Sequence, residues 1–105
     1  MRRRKYNNRP TVIDGYRFDS KLEASRYGEL RLLEKAGDIK DLEVHPHYPL
    51  EVNGLKICTY EADFRYTDNR GTIHVEDVKG FDTAVSRIKR KLVKATCEIN
   101  VEIIR

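Results

Sequence analysis

A chain of 105 residues is enough for one small domain with a modest core and too short for two. Charged residues make up 36% of it and the net charge is +4, a balance that favours a polyanionic partner such as nucleic acid. No apolar run is long enough for a signal peptide or a membrane span, and the lone cysteines Cys58 and Cys97 lack disulfide or zinc spacing. These features point away from a membrane partner and toward a cytoplasmic protein with reduced thiols.

Residues 1–10 lack apolar periodicity and carry Arg2, Arg3, Arg4, Lys5 and Arg9 with no acid before Asp14. They read as a flexible basic arm ahead of a domain over residues 11–105. Thr11-Val12-Ile13 and Tyr16-Arg17-Phe18 flank Asp14-Gly15, a two-residue hairpin signal. A helix then opens in FDSKLEASRYGELRLLEKAGD, where Ser20 and Glu23 have capping-box spacing and Gly37 is a stop. Glu23, Tyr27 and Leu30 fall on one face of it, beside Leu22 and Leu33, at the stripe expected to pack on a sheet. For Glu23 two readings stand side by side: the reciprocal partner of Ser20 in the cap, or an acid directed at a site.

Residues 39–50 read as a connector or edge strand interrupted by Pro46 and Pro49, with His45 and His47 as loop or sheet residues or as metal ligands. Asn53-Gly54 marks another turn. The run YEADFRYTDNRGTIHVEDVKG then predicts two strands, 60–67 and 72–79, around Asp68-Asn69-Arg70-Gly71. In the second strand Ile73, Val75, Asp77 and Lys79 share a face, because side chains alternate. An acid and a lysine at a strand end, with Asp63 on the neighbouring strand, form an arrangement that can hold a hard divalent cation and a phosphate together. Register bears on this. A two-residue turn at Asn69-Arg70 would set Asp63 opposite Glu76, so a three-residue loop or a bulge is needed to match Asp63 with Asp77, and Glu76 stands in reserve.

After Gly80, Asp82 or Thr83 caps a helix running to about Ala95. Ala84, Val85, Ile88, Leu92 and Ala95 are its expected buried stripe, and Arg87, Arg90, Lys91 and Lys94 a face that follows a phosphate backbone. CEINVEII closes the chain as a strand with alternating Cys97, Ile99, Val101 and Ile103. The order of elements predicts an α/β domain, a mixed β-sheet flanked by helices.

Helix acid Glu23, strand acid Asp63 and the Asp77-Val78-Lys79 strand end together resemble the PD-(D/E)XK nuclease superfamily. The match spans residues 16–92 and looks like a family of small phage proteins catalogued as a domain of unknown function. It is similar also to transposase cleavage subunits and to small Holliday-junction resolvases. Ala62 stands where the superfamily has its nominal proline, and His45-Pro46 where relatives often show Gln-Pro, which leaves the role of His45 open. The resemblance implies a restriction-endonuclease-like fold and hydrolysis of DNA phosphodiesters. Asp63, Asp77 and the Val78 carbonyl would bind Mg2+, with Mn2+ able to substitute and no small-molecule cofactor needed. Glu23 would complete the shell through water, and Lys79 would orient or activate the attacking water. With little chain left for reading bases, it implies structure-specific cutting of branched DNA by a homodimer in phage or mobile-element DNA processing. The competing expectation is a non-catalytic nucleic-acid-binding accessory protein in which the acids pair with Lys79.

Overall fold

The computed structural model describes residues 10–105, so Arg2, Arg3, Arg4, Lys5 and Arg9, the expected basic arm, lie outside the described residues. Strands β1 (Thr11–Ile13) and β2 (Tyr16–Phe18) form an antiparallel hairpin, its turn made by Asp14 and Gly15 at φ 53° and 83°. Helix α1 (Lys21–Lys35) follows, then β3 (Ile39–Val44), β4 (His47–Val52), β5 (Leu55–Glu61), β6 (Phe64–Asp68), β7 (Ile73–Val78), helix α2 (Ala84–Cys97) and β8 (Val101–Ile104). A mixed sheet in the order β3-β6-β7-β8 is antiparallel except for the parallel pair β7–β8, which α2 connects; β4 and β5 make a separate two-stranded ribbon. The protein is an α/β fold.

The run read as interrupted at Pro46 and Pro49 breaks at Pro46 but not at Pro49, which lies inside β4, and the strand expected over 60–67 is split as well. Residues 39–50 form two strands in different sheets, because His45 sits at φ 56° and Pro46 cannot donate to a ladder. The strand expected over 60–67 breaks at Ala62-Asp63, so that β5 pairs with β4 whereas β6 joins the main sheet. The two breaks are tied together: His45 N–H donates to the Asp63 carbonyl (2.9 Å) and Ala62 N–H to that of Pro46 (3.1 Å).

Each face of the main sheet has its own core. Phe18, Tyr27, Leu30, Ile39, Phe64 and Tyr66 fill the α1 side. Leu50, Tyr60, Ala62, Val75 and Val93 fill the side covered by the ribbon and α2. On α1 the expected stripe holds, with Glu23, Tyr27 and Leu30 buried and Leu33 packed beside them, although Leu22 is largely outside. On α2 it does not. Val85 and Ile88 are 63% and 65% exposed, Ala84 and Ala95 are also exposed, and the buried residue is Val93, flanked by partly buried Leu92 and Cys97. The physical reason is that α2 meets the core by its C-terminal half, so among the described residues the apolar side chains of its first two turns stay outside it.

The β6–β7 connection sets the register of the site. Phe64 lies opposite Glu76 and Thr67 opposite Ile73, a register closed by the three-residue loop Asn69-Arg70-Gly71. Asp68 N–H donates to the Thr72 carbonyl, Gly71 N–H donates to the Asp68 carbonyl, and Gly71 takes φ 86°, which a side chain would oppose. One residue fewer in that loop would have brought Glu76 to Asp63.

Candidate active site

Glu23 enters from the first turn of α1. Ser20 Oγ accepts its backbone N–H at 3.1 Å, so the Ser20 half of the cap is made, while the carboxylate turns inward and meets His45 Nε2 at 3.0 Å through Oε1. The cap and the site therefore use different atoms of one residue. Glu23 is buried, with 7% of its surface exposed, a position that an acid occupies only with partners.

Asp63 occupies the break between β5 and β6. Its N–H donates to the Glu76 carbonyl (3.0 Å), and its Oδ2 accepts the Val78 N–H at 2.6 Å. Asp77 is buried and receives the Tyr60 hydroxyl on Oδ2 at 2.5 Å; its Oδ1 lies 3.5 Å from Lys79 Nζ. Burial above all, then the charge of Glu23 and to a smaller degree Asp77, pushes the Asp63 carboxyl up to about 8 against the pull of the Val78 N–H. Burial and the hydrogen bond to Asp77 raise the Tyr60 hydroxyl far above the phenol range, which keeps it a donor. Glu23, His45 and Asp63 each offer a ligand atom within 4.8 Å of the others.

Three carboxylates crowd here beside the Lys79 ammonium, and the cost of that crowding falls on Asp63. A divalent cation fits such a donor set: hard oxygens, excess negative charge, and a carboxyl that would be ionised beside a metal. Val78 also suits the role given to its carbonyl. Lys79 N–H points to β8, bonding Ile104 O at 2.9 Å, so the N–H and carbonyl of Val78 leave on the opposite, Asp63 edge.

Glu76 does not belong to this group. It faces α1, where Arg26 grips it through two bonds of 2.8 and 2.7 Å and the Tyr66 hydroxyl donates at 2.5 Å; with 1% exposure it is a fully paired structural acid. His45, the other reserve residue, is at the site. Among the α2 cations, Arg90 is held by both Asp82 oxygens (3.0 and 2.6 Å), and Lys94 Nζ bonds Asn100 Oδ1 (2.6 Å). Arg87 and Lys91 are exposed. Sequence reasoning missed Tyr60 and Arg26. Arg26 lies one turn after Glu23, a spacing that puts both over the sheet, but nothing in the sequence pairs Tyr60 with Asp77.

No curated protein and no solved structure matches the chain significantly. Residues 3–104 match the model of a family described as "Protein of unknown function (DUF1064)". That match covers almost the whole molecule, the candidate site included, and the chain therefore belongs to the DUF1064 family.

Proposed function

We propose that this protein is a magnesium-dependent DNA endonuclease that hydrolyses phosphodiester bonds, with manganese able to replace magnesium. The observation that carries the reading is the convergence of Glu23, Asp63, Asp77 and Lys79 from α1, the β5–β6 break and the end of β7. Acids brought together against their own repulsion, beside one lysine, suit a cation and a phosphate better than they suit folding. Glu23, Asp63, Asp77 and the Val78 carbonyl would hold the ion, which when bound supplies Lewis-acid polarisation of the phosphate. Lys79, about one-quarter exposed beside buried Asp77, is the group that can reach solvent, orient an attacking water and neutralise charge developing on phosphate oxygens. Tyr60 holds Asp77 in place, so the carboxylate is oriented before substrate arrives.

The proposed substrate is branched DNA, such as a four-way junction, in phage or mobile-element DNA processing. The basic residues among 2–9 and the exposed Arg87 and Lys91 of α2 offer sequence-independent phosphate contacts. We place the protein in the cytoplasm and in a homodimer, which would address two strands with two sites. Among the described residues no helix is long and apolar enough to cross a membrane. The test is cleavage of linear, flapped, nicked and four-way DNA with and without magnesium, alongside sedimentation of the free protein. Metal-dependent cutting with preference for a branched substrate is the expected result. Tight DNA binding without cutting under any metal would make the protein an accessory factor.

A further inference from the structure

We infer that His45 is a direct nitrogen ligand of the metal centre and tunes it toward manganese and other transition ions over magnesium. The inference rests on the metal site of the proposed function but adds a donor that oxygen-only coordination does not need. His45 Nε2 lies 3.0 Å from Glu23 Oε1. Two neighbouring ligands on an octahedral ion at ~2.1 Å stand about 3.0 Å apart, and opposite ones about 4.2 Å. The Glu23, His45 and Asp63 donor atoms all lie within 4.8 Å of one another, a spread that small side-chain shifts would bring to these separations.

The position of His45 is built, not incidental. It stands at φ 56°, a left-handed conformation that histidine adopts more readily than most side chains, and its N–H is bonded to the Asp63 carbonyl. The ligand-bearing residues His45 and Asp63 are thereby locked backbone to backbone across two strand breaks. The ring is three-quarters buried, with Phe18 at 5.8 Å between ring centroids, so its orientation is fixed by packing. His45 Nε2 faces Glu23 Oε1. As a ligand it would present the Nε2 lone pair to the ion with the proton on Nδ1, a tautomer that leaves the ring in place. Imidazole nitrogen raises affinity for manganese, cobalt and zinc far more than for magnesium, which prefers oxygen.

The experiment is pulsed electron paramagnetic resonance of Mn2+ bound to the full-length wild-type protein, with calorimetric titration of Mn2+ and Mg2+ into wild type and His45→Gln. Directly coordinated imidazole gives 14N modulation on the Mn2+ signal, and we expect to see it. In His45→Gln the modulation should vanish, and Mn2+ affinity should fall ~10-fold or more while Mg2+ affinity moves less than about threefold. Mn2+ bound to wild type without nitrogen modulation would overturn the inference and leave the proposed nuclease intact. Equal losses of both affinities in His45→Gln would overturn it too, making His45 a positioning residue for Glu23. If wild type binds neither ion, the metal site itself falls, together with the function built on it. The wild-type spectrum needs no variant to fold.

Discussion

Asp63 carries the strain of the site, and that makes it measurable without substrate. Its folded pKa is raised above the ordinary carboxylate value, to about 8, so the native state holds the proton more tightly than the unfolded chain. Stability from this group is complete below about pH 4 and is lost as pH rises through about 8. Urea melts of metal-free protein should therefore show Asp63→Asn gaining on wild type as pH goes from about 5 to about 8, and a divalent cation should reverse the ranking. Parallel pH profiles would mean that Asp63 is not under this pressure. Asp77→Asn should abolish cleavage while DNA binding is kept or tightened, since a ligand disappears as repulsion of phosphate falls; cutting within a few-fold of wild type would remove Asp77 from the centre. Lys79→Ala should slow cleavage roughly 10²-fold with metal affinity little changed, because an ammonium is not a ligand. Glu76 makes the contrast. Glu76→Ala leaves Arg26 without its buried partner and should cost roughly 3 kcal/mol of stability.

At the scale of elements, α1 and α2 separate two uses of a helix. In α1 the cap and the site share one turn, so Ser20→Ala should cost about 1 kcal/mol while Glu23→Gln, which keeps its backbone N–H, should cost activity at low magnesium instead. In α2, Val93→Ala should cost about 2 kcal/mol, whereas Ile88→Gln should stay within ~0.5 kcal/mol, as read by denaturant unfolding at low protein concentration. A large penalty at Ile88 that grows with protein concentration would show its face covered by a second copy. Local signals were legible in the sequence: the Asp14-Gly15 turn, the Ser20 and Thr83 caps and the alternation of β7 all correspond to structure. The side of α2 that faces the core was not, because it depends on where the helix docks, and Arg90 looked like a surface cation because Asp82, eight residues earlier, gives no local sign of clasping it. Glu23, Asp63, Asp77 and Lys79 were singled out from the sequence, and the fold brings Asp63 near Glu23 and Asp77, and Asp77 near Lys79. That Asp77 and not Glu76 meets Asp63 turned on one residue of loop length, which Gly71 at positive φ settles.

At the scale of the whole molecule, charge is divided between the domain and its N-terminal residues. The chain is +4 overall, and residues 1–9 hold five of its cations and no acid, so residues 10–105 carry −1. A nearly neutral body with an acidic site cannot draw DNA by net charge, and what attraction it has must come from the arm and from local faces such as Arg87 and Lys91. Three of the other cations are held by acids at short range: Arg26 by Glu76, Arg31 by Glu34 and Asp14, Arg90 by Asp82. Deleting residues 1–9 should therefore weaken binding to linear and four-way DNA by the same factor, since phosphate binding conveys neither sequence nor branch information. The dependence of log affinity on log salt should flatten by about 0.9 for each cation–phosphate pair removed, and by up to about 4.5 if all five cations meet phosphates. Cleavage at saturating DNA should change little, because Glu23, Asp63, Asp77 and Lys79 all lie outside the deleted segment. Binding measured by fluorescence anisotropy from about 50 to about 300 mM salt decides the matter. An unchanged slope would assign DNA attraction to α2 and the sheet rim, and a loss confined to four-way DNA would make the arm a reader of branch geometry.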